Sequence, residues 1–206
     1  VRVADTVEPD RWHGSDEWRE ILNNAIQTGH IHAARFATRR IDGRLIHREA
    51  MVRLEQDDTT WTAGQFLPWA RRLALLPRLD KAVVENQLAR LEKAEDAEPL
   101  ALNLSIETLL DEPIRNRLTT LLESRANKAH QVLIEIAERS VVDHPAAFRE
   151  FCESVVPLGY RVGIEQAGHR LTDIGELQEL GLNYLKLDPS LTAGLSEGEA
   201  NRNSLR

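Results

Sequence analysis

Apolar and polar residues change their periodicity several times along this 206-residue chain. Alternation with period two marks strands, and spacings of three and four mark helices. Asp16 to Thr28 places Trp18, Ile21, Leu22, Ala25 and Ile26 on one helical face. Ser15 can cap its start and Gly29 its end. A strand is predicted over Ile31 to Arg39. Asp42-Gly43 makes a hairpin-type turn into a second strand, Leu45 to Leu54, so these two are antiparallel neighbours. In that second strand, LIHREAMVRL, the residues Glu49, Met51 and Arg53 fall on one face. Gln56 to Trp61 reads as a polar loop. Thr62 caps a helix starting near Gly64, with Phe66, Leu67, Trp69 and Ala70 helically spaced, and Pro77 interrupts it. A further helix, Arg78 to Lys93, carries Leu79, Val83, Val84, Leu88 and Leu91, and Ala94 to Glu98 is an acidic turn.

From Pro99 the alternation becomes regular. Apolar strands are predicted at Pro99 to Ser105, Gln131 to Glu138, Tyr160 to Gly168 and Asn183 to Leu191. Between them lie helical stretches at Ile106 to Arg125, Pro145 to Leu158 and Thr172 to Leu180, the last two stopped by Gly159 and Gly181. Near-continuous apolar strands separated by amphipathic helices imply an α/β fold with a parallel sheet covered by helices. Either a doubly wound sheet or part of a (β/α)8 barrel satisfies that pattern. Residues 1–14 read as a linker or the tail of a preceding module, and residues 15–206 as one domain. Thr192 to Arg206 reads as a polar tail. About six strands cannot close an eight-stranded barrel. The sequence is therefore expected to be a fragment, or another chain covers the open edge.

Composition narrows the function classes. A hydrophobic share of 42% and a charged share of 29% are ordinary for a globular protein. The net charge of −7 argues against a DNA or RNA groove, while leaving room for a small anionic ligand held by a local cluster of donors. One cysteine, Cys152, can form no internal disulfide, which suits a reducing compartment, and it falls in an apolar helical pattern. No stretch approaches the roughly 20 apolar residues of a membrane span. A cytoplasmic domain is expected. The chain begins without Met, so a membrane anchor elsewhere remains open.

No glycine-rich phosphate loop follows the first strand, so a dinucleotide fold has no support. What recurs is a polar residue near the C-terminal end of each strand: Glu49 and Arg53, Asn103 and Ser105, Glu135 and Glu138, Glu165 and Gln166, Lys186 and Asp188. In barrels and open α/β sheets that edge binds ligands. Taken singly, each has a bland explanation: Asn103 as a helix cap, Lys186 and Asp188 as a surface pair, Glu138 as a solvated group. As a set they describe a ligand rim.

These residues resemble the EAL domain family, bacterial barrels that bind and in many members hydrolyse cyclic di-GMP. EAMVR at Glu49 to Arg53 is similar to the namesake motif, with Met51 for Leu. LNLS at Leu102 to Ser105 matches an Asn-x-Ser strand, EIAE at Glu135 to Glu138 resembles a Glu-x-Thr-Glu strand, and KLD at Lys186 to Asp188 resembles a Lys-Ile-Asp strand. The resemblance runs from about Ile31 to the C-terminus. It implies an EAL-type (β/α) barrel and two-metal phosphodiester hydrolysis, in which hard cations take oxygen ligands and clamp the attacking water and leaving oxygen. On that footing Glu49, Asn103, Glu135 and Glu165 would hold metal, Lys186 would orient or deprotonate the water, and Arg53 would grip a phosphate with its planar fork.

The departures point away from hydrolysis. Glu165-Gln166-Ala167-Gly168 stands where the family has Asp-Asp-Phe-Gly. Glu165 adds a methylene, shifting its carboxylate by ~1.5 Å where productive geometry must hold to about 0.5 Å. Gln166 replaces a carboxylate with a neutral amide, a poor ligand for a hard dication. Ala37-Thr38 stands where a Gln-Pro pair is usual. The expectation is therefore a degenerate EAL domain that acts as a cyclic di-GMP receptor or signal-transmission module, with Arg53, Glu49, Asn103 and Asp188 contacting ligand and no metal needed. Lys186 would be catalytic, and Mg or Mn bound, only if the site is active. Expected partners are cyclic di-GMP, an attached GGDEF or sensor module, and a second copy or another protein. The form resembles membrane-anchored GGDEF–EAL receptors that control adhesins. The alternatives are a protein-interaction domain without nucleotide and a metal-dependent cyclic di-GMP phosphodiesterase.

Overall fold

The structure, a computed structural model, describes residues 14–40, 42–56, 59–94, 98–168, 170 and 181–192. The predicted helix at Thr172 to Leu180, the leading linker up to residue 13 and the polar tail after Thr192 lie outside the described residues. The described residues form seven strands: β1 Ile31–Arg39, β2 Leu45–Gln56, β3 Thr59–Thr62, β4 Leu100–Asn103, β5 Val132–Ala137, β6 Arg161–Ala167 and β7 Tyr184–Leu187. The sheet runs β1-β2-β4-β5-β6-β7, with β3 paired to β2. β1, β2 and β3 are joined antiparallel, and every pairing from β2 through β7 along the main path is parallel. This is the α/β architecture expected from the sequence, an open TIM-barrel-like sheet.

The helices cover it as the patterns require. α1 (Ser15–Thr28) precedes the sheet, and α2 (Ala63–Arg72) and α3 (Leu76–Glu92) link β3 to β4. α4 (Ile106–Leu110) and α5 (Glu112–Ser124) follow β4, α6 (Glu138–Asp143) and α7 (Pro145–Val155) follow β5, and a last turn, α8 (Pro189–Thr192), follows β7. Two cores result. One packs Leu102, Ile134, Ile136 and Ile164 from the parallel strands against Leu88, Leu118, Phe148 and Phe151 from the helices. Cys152 lies in it, and burial pushes its thiol up to about 12, so it is an inert core residue. The other gathers Trp18, Leu22, Phe66 and Leu79 under Ile31 and Leu54 of the hairpin.

Several boundaries differ from the sequence reading, each for a local reason. Gln56 to Trp61 is not a loop throughout. β2 runs on to Gln56, and Thr59–Thr62 pairs back on it, Thr62 opposite Arg53. The helix at Ile106 to Arg125 is two helices, because Asp111 leaves helical geometry and its carboxylate accepts from Ile114 N at 3.0 Å to start α5. Pro77 does not break a helix but sits in the first turn of α3, where its missing N–H costs nothing. Gly14, not Ser15, occupies the N-cap of α1. Glu138 opens α6 instead of ending β5.

Candidate functional site

In a flat sheet the four strand steps from β2 to β7 would span about 19 Å. Yet the Lys186 ammonium of β7 lies 2.8 Å from Glu49 Oε1 of β2. The sheet is therefore curled, and the side chains on its concave face meet. Those side chains are Glu49, Asn103, Glu135, Glu165 and Lys186, each contributed by a different strand.

Glu49, Glu135 and Glu165 bring one carboxylate oxygen each to within 4.8 Å of one another. Glu49 is buried and Glu135 has no exposed surface at all. Lys186 Nζ also lies 3.5 Å from Glu135 Oε2. Asn103 lies 3.2 Å from Glu135 Oε2 and 3.3 Å from Glu165 Oε2, and donates to both when its Nδ2 faces them. On the other side of Glu135, the Tyr184 hydroxyl donates to Oε1 at 2.6 Å. The pocket thus holds three acids, one ammonium and two neutral donors.

Charge crowding shifts the titrating groups accordingly. Burial, and then the Glu135 charge, push the Glu165 carboxyl upward against the pull of Lys186. Burial disfavours the charged Lys186, but the Glu49 hydrogen bond and the charges of Glu135 and Glu49 outweigh it, and the net shift is upward. Burial and Glu135 together hold the Tyr184 hydroxyl protonated, as a donor to Glu135 must be.

Sequence reasoning missed three residues of this pocket. Tyr184, Gly163 and His47 each stand two positions before a rim residue and so share its face. A Cβ on Gly163 would lie 2.5 Å from the Tyr184 ring, so the glycine makes room for the tyrosine. His47 is 3% exposed, has no partner for either ring nitrogen, and lies with its ring centroid 6.0 Å from that of Tyr184. Period-two alternation was the signal available for all three.

The other predicted rim residues make contacts of their own. Ser105 is engaged by Asp80 of α3: its N–H and Oγ donate to Asp80 Oδ2 at 2.8 and 2.6 Å, and Thr108 Oγ1 donates there at 2.6 Å. Glu138 accepts from Gly168 N at 2.8 Å, tying down the turn after β6. Asp188 Oδ1 accepts from Ser190 N at 2.8 Å in α8. Gln166 is exposed and sits at φ 52 inside a bulge, where the β6–β7 register shifts between Ile164 and Ala167. Arg53 shares the strand face of Glu49 and donates to Val52 O at 3.1 Å. No carboxylate pairs with it among the described residues.

The donor set fits one hard divalent cation, with Glu49, Glu135 and Glu165 as oxygen ligands and Asn103 able to turn Oδ1 inward as a fourth. Among the described residues no second acidic cluster is present for a second ion, and Gln166 supplies no carboxylate.

Residues 19–206 match the EAL domain family. The chain belongs to that family. This EAL domain is similar to the RNase E specificity factor CsrD of Escherichia coli (strain K12), 25% identical over 203 residues that make up 97% of the chain and 31% of CsrD. It is also similar to the probable cyclic di-GMP phosphodiesterase PdeB of the same organism, 22% identical over 158 residues, 75% of the chain and 30% of PdeB. Among solved structures, an S helix-GGDEF-EAL portion of Vibrio cholerae LapD bound to c-di-GMP superposes with a TM-score of 0.85 at 26% identity, over 96% of this chain and 49% of that one. The EAL domain of Xanthomonas citri FimX, 19% identical, superposes at 0.82 over 93% of this chain and 76% of that one, and shows the shared fold. The chain spans about a third of the curated relatives and about half of the LapD structure. No helix among the described residues is long and apolar enough to cross a membrane.

Proposed function

We propose that this EAL domain is a cyclic di-GMP receptor or signal-transmission module that does not hydrolyse the nucleotide. The observation that carries the reading is the contrast between its two cations. Lys186 is committed to Glu49 and Glu135, whereas Arg53, on the same strand face as Glu49, keeps most of its guanidinium donors unspent among the described residues. An uncommitted planar fork beside the pocket suits a phosphodiester. The likeness to LapD bound to c-di-GMP supports the same ligand, and the GGDEF domain in that LapD structure supports an attached GGDEF module. Asn103 and Glu49 would line the ligand and Asp188 the rim beyond Lys186. Gln166, which offers no carboxylate and is exposed, supports the loss of hydrolysis. In the whole protein this would be a cytoplasmic domain of an inner-membrane receptor.

Titration of cyclic di-GMP onto the full-length protein, with Mg2+ and with EDTA, tests the reading. Saturable binding under both conditions, weakened by Arg53→Ala, is the expected result. No detectable binding in either condition overturns it. The cluster of three carboxylates favours a second reading, a metal-dependent phosphodiesterase. Release of linear pGpG that stops on Glu49→Ala would establish that one.

A further inference from the structure

We propose that the Lys186 ammonium is a tethered occupant of the acidic pocket, which competes directly with a divalent cation for Glu49 and Glu135. The inference concerns metal occupancy and stands apart from nucleotide binding. It rests on how the pocket neutralises itself. Glu135 is fully buried, and both of its oxygens are already engaged: Oε1 by the Tyr184 hydroxyl, Oε2 by Lys186 and by the Asn103 amide. Glu49 Oε1 is engaged by Lys186 at 2.8 Å. Three carboxylates this close repel one another strongly unless positive charge sits among them. In this arrangement the ammonium is that charge.

A cation bound to the same oxygens would sit at roughly 2.0 to 2.6 Å from them. It would then lie against the ammonium, like charge beside like charge, in a pocket poorly screened by water. One of the two must leave. Lys186 is able to, because its side chain is 36% exposed and has an open route to solvent. Asn103 completes the exchange. Beside the ammonium, the orientation that satisfies both carboxylates turns its Nδ2 to Glu135 and Glu165, and the opposite orientation offers Oδ1 to a cation. A swing of one side chain and a turn of another convert a self-neutralised pocket into a cation site.

The test is Mn2+ binding to the full-length protein without nucleotide, followed by the electron paramagnetic resonance of free Mn2+. Lys186→Met is expected to bind Mn2+ roughly tenfold tighter than the wild type or better. Arg161→Gln is the control, since the Arg161 charge is felt at Tyr184 yet the side chain does not touch the three acids. It should shift affinity by no more than about threefold through long-range charge alone. Equal affinity of Lys186→Met and wild type, a shift no larger than that of Arg161→Gln, or no Mn2+ binding by Lys186→Met overturns the proposal. A measurement on the wild type guards against a variant that fails to fold. Amine acetylation of Lys186, read by mass spectrometry, should speed up when Mn2+ reaches tens of millimolar. An unchanged rate there overturns the proposal as well. Failure of either assay leaves the nucleotide titration untouched, and failure of that titration leaves these assays untouched.

Discussion

Tyr184 and Glu135 are joined by a 2.6 Å hydrogen bond, and the space for it is created by Gly163, whose hydrogen faces the tyrosine ring. Gly163 pairs with Tyr184 across β6 and β7 and with Glu135 across β5 and β6, so the three form one row through the pocket floor.

Replacing that glycine with alanine is expected to displace Tyr184. The added Cβ would meet Cζ at 2.5 Å and Cε1 at 2.6 Å, both parts of a rigid ring. Overpacking of this kind costs about 1–3 kcal/mol. Gly163→Ala should lower the unfolding free energy measured in urea by that amount. Tyr184→Phe keeps the ring and loses only the donor, and is expected to cost about 1 kcal/mol. Equal stability of Gly163→Ala and wild type would show that the ring can move without penalty.

Asp80 carries a second prediction. One of its oxygens receives Ser105 N, Ser105 Oγ and Thr108 Oγ1, fixing the start of α4 two residues after Asn103. Asp80→Ala leaves three donors without their acceptor, for a loss of about 1–3 kcal/mol. It should also loosen Asn103, visible as faster amide hydrogen exchange over Leu104 to Thr108. Unchanged exchange there would mean that Asp80 anchors α3 without holding the rim.

Much of this was legible in the sequence, and the failures share a cause. Every strand on the main path of the sheet is predicted by the sequence, β4, β5 and β6 as apolar runs, and the rim carboxylates follow from their position near strand ends. Thr59 to Trp61 reads as loop because it carries no apolar alternation, and its pairing with the overhang of β2 is a tertiary fact. Asp111 looked like one polar residue in a long helix, and its capping geometry splits that helix. His47, Gly163 and Tyr184 sit at legible positions, two before known rim residues. Their roles depend on the curl that brings β7 to β2, which no local pattern encodes. The same curl commits Lys186 to Glu49 and Glu135.

Gln166 gives a prediction about strain. It is a non-glycine residue at φ 52, in the region where an L side chain crowds its own backbone. Exposed as it is, it gains no packing in return. Gln166→Gly should raise stability by about 0.5–1 kcal/mol, because the relieved strain outweighs the entropy glycine adds to the unfolded chain. Chemical denaturation would detect the change, and a loss of stability would mean the Gln166 side chain holds the bulge.

His47 makes stability depend on pH. Burial lowers its pKa below the ordinary value of 6.5, and neither ring nitrogen has a partner. The groups around it are mixed, Glu135 and Glu49 pulling upward and Lys186 and Arg161 downward. As pH falls through 6.5, the unfolded chain takes up a proton that the folded protein refuses, so stability drops. The loss ends once pH passes below the depressed folded value. His47→Leu removes the titrating group and should flatten that part of the acid limb, with little cost at neutral pH since no hydrogen bond is lost. Parallel limbs for the two proteins would assign the pH dependence to other groups.

Arg53 and Glu49 share a strand face but should respond to mutation in opposite ways. Arg53 makes one hydrogen bond, to its neighbour's carbonyl, and no ion pair among the described residues. Arg53→Ala should therefore leave stability within about 0.5 kcal/mol while lowering cyclic di-GMP affinity. Arg53→Lys restores the charge but not the fork, so it should recover only part of that affinity, and recover less of it as salt rises. Glu49→Gln keeps an oxygen that can accept from Lys186 but removes the charge paired with the ammonium at 2.8 Å, leaving the more distant Glu135 as its nearest carboxylate partner. That change should lower stability even without nucleotide, because it removes one partner of a half-buried ion pair. Calorimetric titration and denaturation of the three variants separate the roles. If Arg53→Ala costs as much stability as Glu49→Gln, then Arg53 is structural and phosphate recognition must lie elsewhere on the rim.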